Sequence, residues 1–208
     1  MSAVVPRLWC LVDATDDLTL LTRLAEVGVG GFQVRAKRAT TAELLRLTRV
    51  VLASVRPCGA RVVVDDRLDV ALAAGADGVH LGADDLPVHD ARALADASGA
   101  SAADGTRFLV GGTCRDRAQV EAARDAGADY VGFGPVRATT SKTGLPDPLG
   151  VEAVARAAGV LPLVAIGGLD VTTVPAVRAA GAHGVAVIGA IWRPPDPLAA
   201  AEALVRAV

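Results

Sequence analysis

The sequence predicts one (β/α)₈ barrel, a TIM barrel, with its chemistry in the loops that follow the strands. Three observations lead there. Short apolar or β-branched runs alternate eight times with longer helix-forming stretches, which is the signature of a parallel sheet wound through helices. Three of those runs are introduced by nearly the same phrase, Ala-Gly-Ala-Asp-Gly-Val, Ala-Gly-Ala-Asp-Tyr-Val and Ala-Gly-Ala-His-Gly-Val. Their glycines, Gly75, Gly127 and Gly181, stand 52 and 54 residues apart. Each interval holds two strand–helix units, and each glycine falls where a helix would end in a left-handed cap. No G-x-G-x-x-G follows the first strand, which argues against an open dinucleotide-binding sheet.

The strands follow in order from their composition. Leu8–Val12 is apolar throughout; Gly31–Arg35 mixes Phe and Val with a polar end; Arg61–Asp65 is a valine run between charges; Gly78–Leu81 carries a histidine. Phe108–Gly111, Tyr130–Phe133, Leu163–Ile166 and Gly184–Ile188 complete the set, and a last helix runs from Pro197 to the end. Such near-continuous apolar strands belong to a parallel sheet covered on both faces. The Ser98–Gly105 stretch precedes the fifth strand, on the face away from the chemistry.

Composition narrows the function. A chain of 208 residues fits a single domain spanning 1–208, able to bury a core without staples. A net charge of −2 and 3% aromatic residues exclude a basic, stacking-rich nucleic-acid surface but leave room for a local anion site. Cys10, Cys58 and Cys114 are odd in number and widely spaced, so they read as reduced thiols, which favours the cytoplasm. The opening residues lack a basic region before an apolar stretch, and no run approaches the roughly 18 apolar residues of a spanning helix, so a soluble protein is expected.

In a barrel of this kind the strand carboxyl ends ring a common mouth. Gln33, Arg35 and Lys37 come from the second strand and its loop, and Asp65, Asp66 and Arg67 from the third. Asp84 and Asp85 follow the fourth strand, Thr113 the fifth, and Thr139, Thr140, Ser141 and Lys142 the sixth. Lys37 and Lys142 are the only lysines, and both fall in these loops. Asp66 and Asp85, on adjacent loops, suit Mg²⁺, which takes hard oxygen ligands and keeps several waters. The same residues also read as a helix cap at Asp66 and Arg67 and a solvated turn at Asp84 and Asp85, and Arg35 with Lys37 as an ordinary surface cluster. Thr139 to Lys142 lie in a loop of about 16 residues, long enough for a lid and equally readable as a solvent loop. Gly167 and Gly168 after the seventh strand, with Ile188 and Gly189 after the eighth, offer bare backbone N–H groups where barrels seat a phosphate. His80 reads as a hydrogen-bonded structural residue, His89 and His183 as surface positions, and Cys114 as a buried small residue.

Five segments in register resemble the thiamine phosphate synthase family over nearly the whole chain. Gln33-Val34-Arg35-Ala36-Lys37 resembles Q-x-R-x-K, and Asp66-Arg67-Leu68-Asp69 resembles the end of N-D-R-x-D. Gly78 through Asp85 resembles G-V-H-L-G-Q-x-D, and Gly134-Pro135 through Thr139, Ser141 and Lys142 resembles G-P…T-x-T/S-K. Ile166-Gly167-Gly168 and Ile188-Gly189 resemble the family's phosphate-binding ends. The resemblance implies a Mg²⁺-dependent transferase that joins an aminopyrimidine methyl diphosphate to a thiazole phosphate, releasing pyrophosphate. It implies that Asp66 and Asp85 hold the metal and that Arg35, Lys37 and Lys142 add catalytic positive charge. Those three cations, with Gln33, Asp65 and Thr113, would bind the pyrimidine diphosphate. Thr139, Ser141, Gly168, Ile188 and Gly189 would bind the thiazole phosphate. The implied partners are small phosphorylated molecules, with no nucleic acid or membrane; association into a homo-oligomer is left open.

This chain departs from the pattern at Asp65 (for Asn), Ala36 (Glu), Ala83 (Gln), Arg115 (His) and Gly189 (Ser). Two other readings stand beside the synthase. The sister thiazole tautomerase family looks to a histidine where Arg115 stands. A catalytically silent barrel binding a thiamine precursor is the second.

Overall fold

In the computed structural model, which describes residues 4–139 and 146–208, parallel strands close into a barrel. They are β1 (Leu8–Val12), β2 (Gly31–Val34), β3 (Arg61–Asp65), β4 (Gly78–Leu81), β5 (Leu109–Cys114), β6 (Tyr130–Phe133), β7 (Leu163–Ile166) and β8 (Gly184–Val187). Each pairs with the next in chain order, and β8 returns to β1 through Trp9↔Ala186. The helices between them are α1 (Leu21–Glu26), α2 (Thr41–Val55), α3 (Leu68–Ala74), α4 (Val88–Ala97), α5 (Arg117–Asp125), α6 (Val151–Ala157) and α7 (Val174–Ala179). The single turn α8 (Gly189–Trp192) precedes α9 (Pro197–Ala207). No described helix is long and apolar enough to cross a membrane.

All eight strands fall where the alternation predicts, with small differences at the ends. β2 stops at Val34 and β8 at Val187, while β5 begins at Leu109 and continues to Cys114. Gly111 and Gly112 disguise that extension, since paired glycines usually weaken a strand. Here Gly111 is required by close approach, because a Cβ there would lie 2.6 Å from Cε1 of Tyr130.

Side chains alternate across the wall, so each strand feeds two cores. Phe32, Val34, Val62, Val64, Val79, Val110, Val131 and Phe133 face the helices. Trp9, Leu11, Val63, Leu109, Tyr130, Val164 and Ala186 fill the interior, where Trp9 stacks on Tyr130 at 5.6 Å. The helices answer with apolar stripes. In α2, Leu44, Leu47, Val51, Leu52 and Val55 are buried at helical spacing, and a Thr40–Glu43 capping box fixes its start.

The repeated phrase builds the amino end of the barrel. Gly75, Gly127 and Gly181 all have positive φ, as the left-handed caps require. Two residues later, Asp77 and Asp129 extend the ladder: the N–H of each donates to the carbonyl of Val62 or Val110, and its carboxylate accepts from that same residue's N–H, every bond 2.8 Å long. His183, expected at the surface, is half-buried at the equivalent place and has its Nε2 2.8 Å from the Val5 carbonyl. His89 is exposed as expected. The 98–105 segment turns across this end, where the Ala103 N–H reaches Asp77 and Arg61 reaches Asp104.

Candidate active site

Strand parity selects what the mouth sees. Residues in step with the inner core point inward, so the last inward positions are Gln33 on β2, Asp65 on β3, His80 on β4 and Thr113 on β5. Thr113 was expected just after its strand but lies within β5. These polar ends open into a cavity of about 590 Å³ whose floor is Trp9, Leu11, Tyr130 and Val164.

One side of the cavity is charged. Asp65 is buried, and Gln33 Nε2 donates to its Oδ1 at 2.6 Å while Arg35 Nε lies 3.0 Å and Lys37 Nζ 3.7 Å from its Oδ2. Asp65 therefore organises the β2 side chains, with both oxygens engaged. Arg35 and Lys37 form part of the cavity wall rather than an ordinary surface cluster. Lys37 also pairs with Asp66, and the Asp66 carboxylate stands near enough to Asp85 to disfavour a second negative charge there.

Asp66 is the only described non-glycine residue with positive φ, at 65°. Backbone of that kind costs about 1–3 kcal/mol and gathers at functional sites. The Asp66 N–H donates to the His80 carbonyl, which anchors the turn. The helix-cap reading fails: α3 has no side-chain cap, and Arg67 pairs with Asp69 instead. The turn reading holds in part, since Asp85 Oδ2 accepts the Gly82 N–H at 2.7 Å. Burial, followed by the Asp66 carboxylate, raises the Asp85 pKa. Two neighbouring carboxylates of this kind suit a divalent cation that keeps waters or phosphate oxygens as its other ligands. Among the described residues no cluster of three or more His, Cys, Asp and Glu is arranged to hold a metal.

His80 is the hydrogen-bonded structural residue expected, and it is also part of the cavity wall. Its Nδ1 lies 3.2 Å from the Tyr130 hydroxyl and its Nε2 3.1 Å from the Thr113 hydroxyl. Burial lowers its pKa and keeps it neutral, while Asp65, Asp66 and Asp85 pull in the other direction. A neutral imidazole between two hydroxyls fixes how Thr113 presents its oxygen to the cavity. Cys114 is buried, and burial pushes its thiol up to about 11. Cys10 is buried and Cys58 exposed, and all three cysteines are free.

The opposite side is backbone-rich. Thr139, Gly167, Gly168, Ile188 and Gly189 line it. The loops after β6 and β7 are zipped together by the N–H groups of Val136 and Arg137, which donate to the carbonyls of Ile166 and Gly167. Arg115 braces the two arms of the β6–α6 connection, with Nη1 3.1 Å from the Gly134 carbonyl and Nη2 2.9 Å from that of Asp147. Thr140, Ser141 and Lys142 lie outside the described residues.

Ten predicted site residues thus share one cavity: Gln33, Arg35, Lys37, Asp65, Asp66, Thr113, Thr139, Gly168, Ile188 and Gly189; Asp85 joins through Asp66. Sequence reasoning missed Trp9, Tyr130 and Arg193, which also line it. Trp9 and Tyr130 had a legible signal in the inward parity and in the glycines beside them in register, Gly31 and Gly111. No such pattern marks Arg193.

A closed barrel with acids and cations on one side of its mouth and glycine-rich backbone on the other defines a (β/α)₈ barrel with its candidate site at the carboxyl ends of the strands. Residues 2–191 match the family model described as thiamine monophosphate synthase, and the chain belongs to that family of transferases. It is 46% identical to the thiamine-phosphate synthase of Salinispora tropica, over 85% of this chain and 82% of that protein. It is 43% identical to the thiamine biosynthesis bifunctional protein ThiM/ThiE of Symbiobacterium thermophilum, over 95% of this chain but 40% of that longer protein. Among solved structures it is similar to a thiamine phosphate pyrophosphorylase from Pyrococcus furiosus, with a TM-score of 0.83 at 29% identity, covering 97% of this chain and 94% of that one.

Proposed function

We propose that this chain is a synthase joining 4-amino-2-methyl-5-(diphosphomethyl)pyrimidine to a 4-methyl-5-(2-phosphoethyl)thiazole, with thiamine phosphate and pyrophosphate as products. The observation that carries the reading is the division of one cavity into a side of acids and cations, built on β2 to β5, and a backbone-rich side built on β6 to β8. Two phosphorylated substrates need such a pair of ends. The likeness to a relative named thiamine-phosphate synthase and to a solved thiamine phosphate pyrophosphorylase supports the same reading over the tautomerase.

The carbon–oxygen bond of the pyrimidine methylene breaks, and the electron pair leaves with pyrophosphate. The ring amine stabilises the cation that remains, and the thiazole nitrogen then donates its lone pair to form the new carbon–nitrogen bond. No proton transfer is required, so the protein works by alignment and charge. Arg35 and Lys37 face the departing diphosphate, and Lys142 is expected to join them. Asp65 holds Arg35 and the Gln33 amide in place. Gln33 and Thr113 would orient the pyrimidine, with His80 fixing the Thr113 hydroxyl. Asp66 and Asp85 would hold Mg²⁺, which when bound neutralises charge developing on the leaving group. Thr139, Ser141 and the backbone at Gly168, Ile188 and Gly189 would receive the thiazole phosphate. The near-neutral net charge and scarcity of aromatics support small phosphorylated partners over nucleic acid. Unpaired cysteines support a reducing, cytoplasmic setting.

Incubation with both substrates, with and without Mg²⁺, tests the reading. Thiamine phosphate and pyrophosphate should appear together and only with the metal. Product without metal, or isomerised thiazole without thiamine phosphate, would overturn it.

A further inference from the structure

Gly189 opens α8, yet its φ is not left-handed, so the backbone alone does not call for glycine. A neighbour does. A Cβ at this position would stand 2.8 Å from Nε, 3.0 Å from Cδ and 3.1 Å from Cζ of Arg193. The guanidinium therefore lies back over the first residue of α8 in space that any side chain at 189 would claim.

The root of Arg193 is fixed. Ile191 is fully buried, Trp192 Nε1 donates to the Leu11 carbonyl at 2.8 Å, and the Arg193 N–H donates to the Gly189 carbonyl at 3.1 Å. Pro194 and Pro195 follow and restrict the chain further. Three cationic side chains line the cavity among the described residues; Arg35 and Lys37 stand on the β2 side and Arg193 on the β8 side.

We propose that Arg193 is the side chain that binds the phosphomonoester of the thiazole substrate, and that the bare Cα of Gly189 sets how far its guanidinium reaches over that end of the cavity. The inference rests on the synthase reading for the identity of the ligand. A guanidinium suits it because its forked donors match phosphate oxygens in a way a point charge does not.

The test uses the intact protein with Arg193→Gln and Gly189→Ala. With the pyrimidine diphosphate saturating, Arg193→Gln should raise KM for the thiazole phosphate about 10- to 100-fold, as expected for loss of a charge-assisted contact. KM for the pyrimidine diphosphate should stay within about twofold. Gly189→Ala should move the same constant in the same direction by a smaller factor. Calorimetric binding of the thiazole phosphate and of its unphosphorylated alcohol supplies the second readout: Arg193→Gln should weaken only the phosphorylated ligand. An active wild type whose variants keep their thiazole phosphate KM would overturn the role of Arg193. So would equal weakening of both ligands. A wild type that makes no thiamine phosphate would instead count against the synthase reading, and the paired binding measurement would still decide the role of Arg193.

Discussion

The two ends of the barrel use the same chemistry for opposite purposes. At the amino end, Asp77 and Asp129 spend their carboxylates on backbone N–H groups and on arginines: Asp77 takes Arg56 at 3.4 Å, and Asp129 takes Arg92 and, at 3.3 Å, Arg107. At the mouth, Asp65, Asp66, Arg35 and Lys37 pair mainly with one another around a cavity, and Asp66 also faces a second acid, Asp85. One end has used its charge to close the fold. The other keeps charge where a ligand can reach it, on a residue held at positive φ. Buried ion pairs alone therefore do not mark a site; what differs is whether the acid also caps backbone or borders a cavity.

The comparison can be broken by substitutions at either end. The largest effect should come from Asp129→Ala, which takes the buried carboxylate from Arg92, leaving it only the exposed Asp96 at 3.3 Å as an acidic partner, and strips the Val110 N–H of its side-chain acceptor; it should cost about 3–5 kcal/mol in urea unfolding, with turnover per folded molecule unchanged. Asp66→Asn keeps a residue that tolerates positive φ but removes a charge from the mouth. Its turnover should fall about 10²–10³-fold while unfolding stays near wild type. A swap of these outcomes, with Asp129 governing rate and Asp66 governing stability, would end the distinction.

His80 gives an intermediate effect through pH. Burial holds its pKa below the ordinary value of 6.5, so the unfolded chain binds the proton first as pH falls. Wild-type stability should decline below about pH 6.5, with this residue contributing up to about 1.4 kcal/mol per pH unit. Denaturation curves of His80→Asn should show a shallower decline over that window, and parallel profiles would remove His80 as the cause. The smallest effect is expected of Asp65→Asn. Removing the negative charge that holds Arg35 at 3.0 Å and competes with a diphosphate for it should lower KM for the diphosphate substrate about fivefold, which corresponds to roughly 1 kcal/mol. An unchanged KM would mean that the Asp65 charge is already screened from the substrate.

Much of this molecule was legible in the sequence because it depends on local rules. Alternating runs located all eight strands, and positive φ at Gly75, Gly127 and Gly181 follows from the cap each phrase requires. The loops after β2, β3 and β4 could be nominated because a parallel barrel brings every strand's carboxyl end to one rim. What only the tertiary structure decided are the pairings across the rim. Strand parity points Gln33 and Asp65 inward, but the register of β2 on β3 puts them 2.6 Å apart across 32 positions of sequence. The Arg193 guanidinium crossing back over Gly189 has no sequence period, because it depends on how Trp192 anchors α8 to β1. Periodicity reports which face a residue occupies; which neighbour it meets there is fixed by strand register and by how the connecting turns pack on the strands.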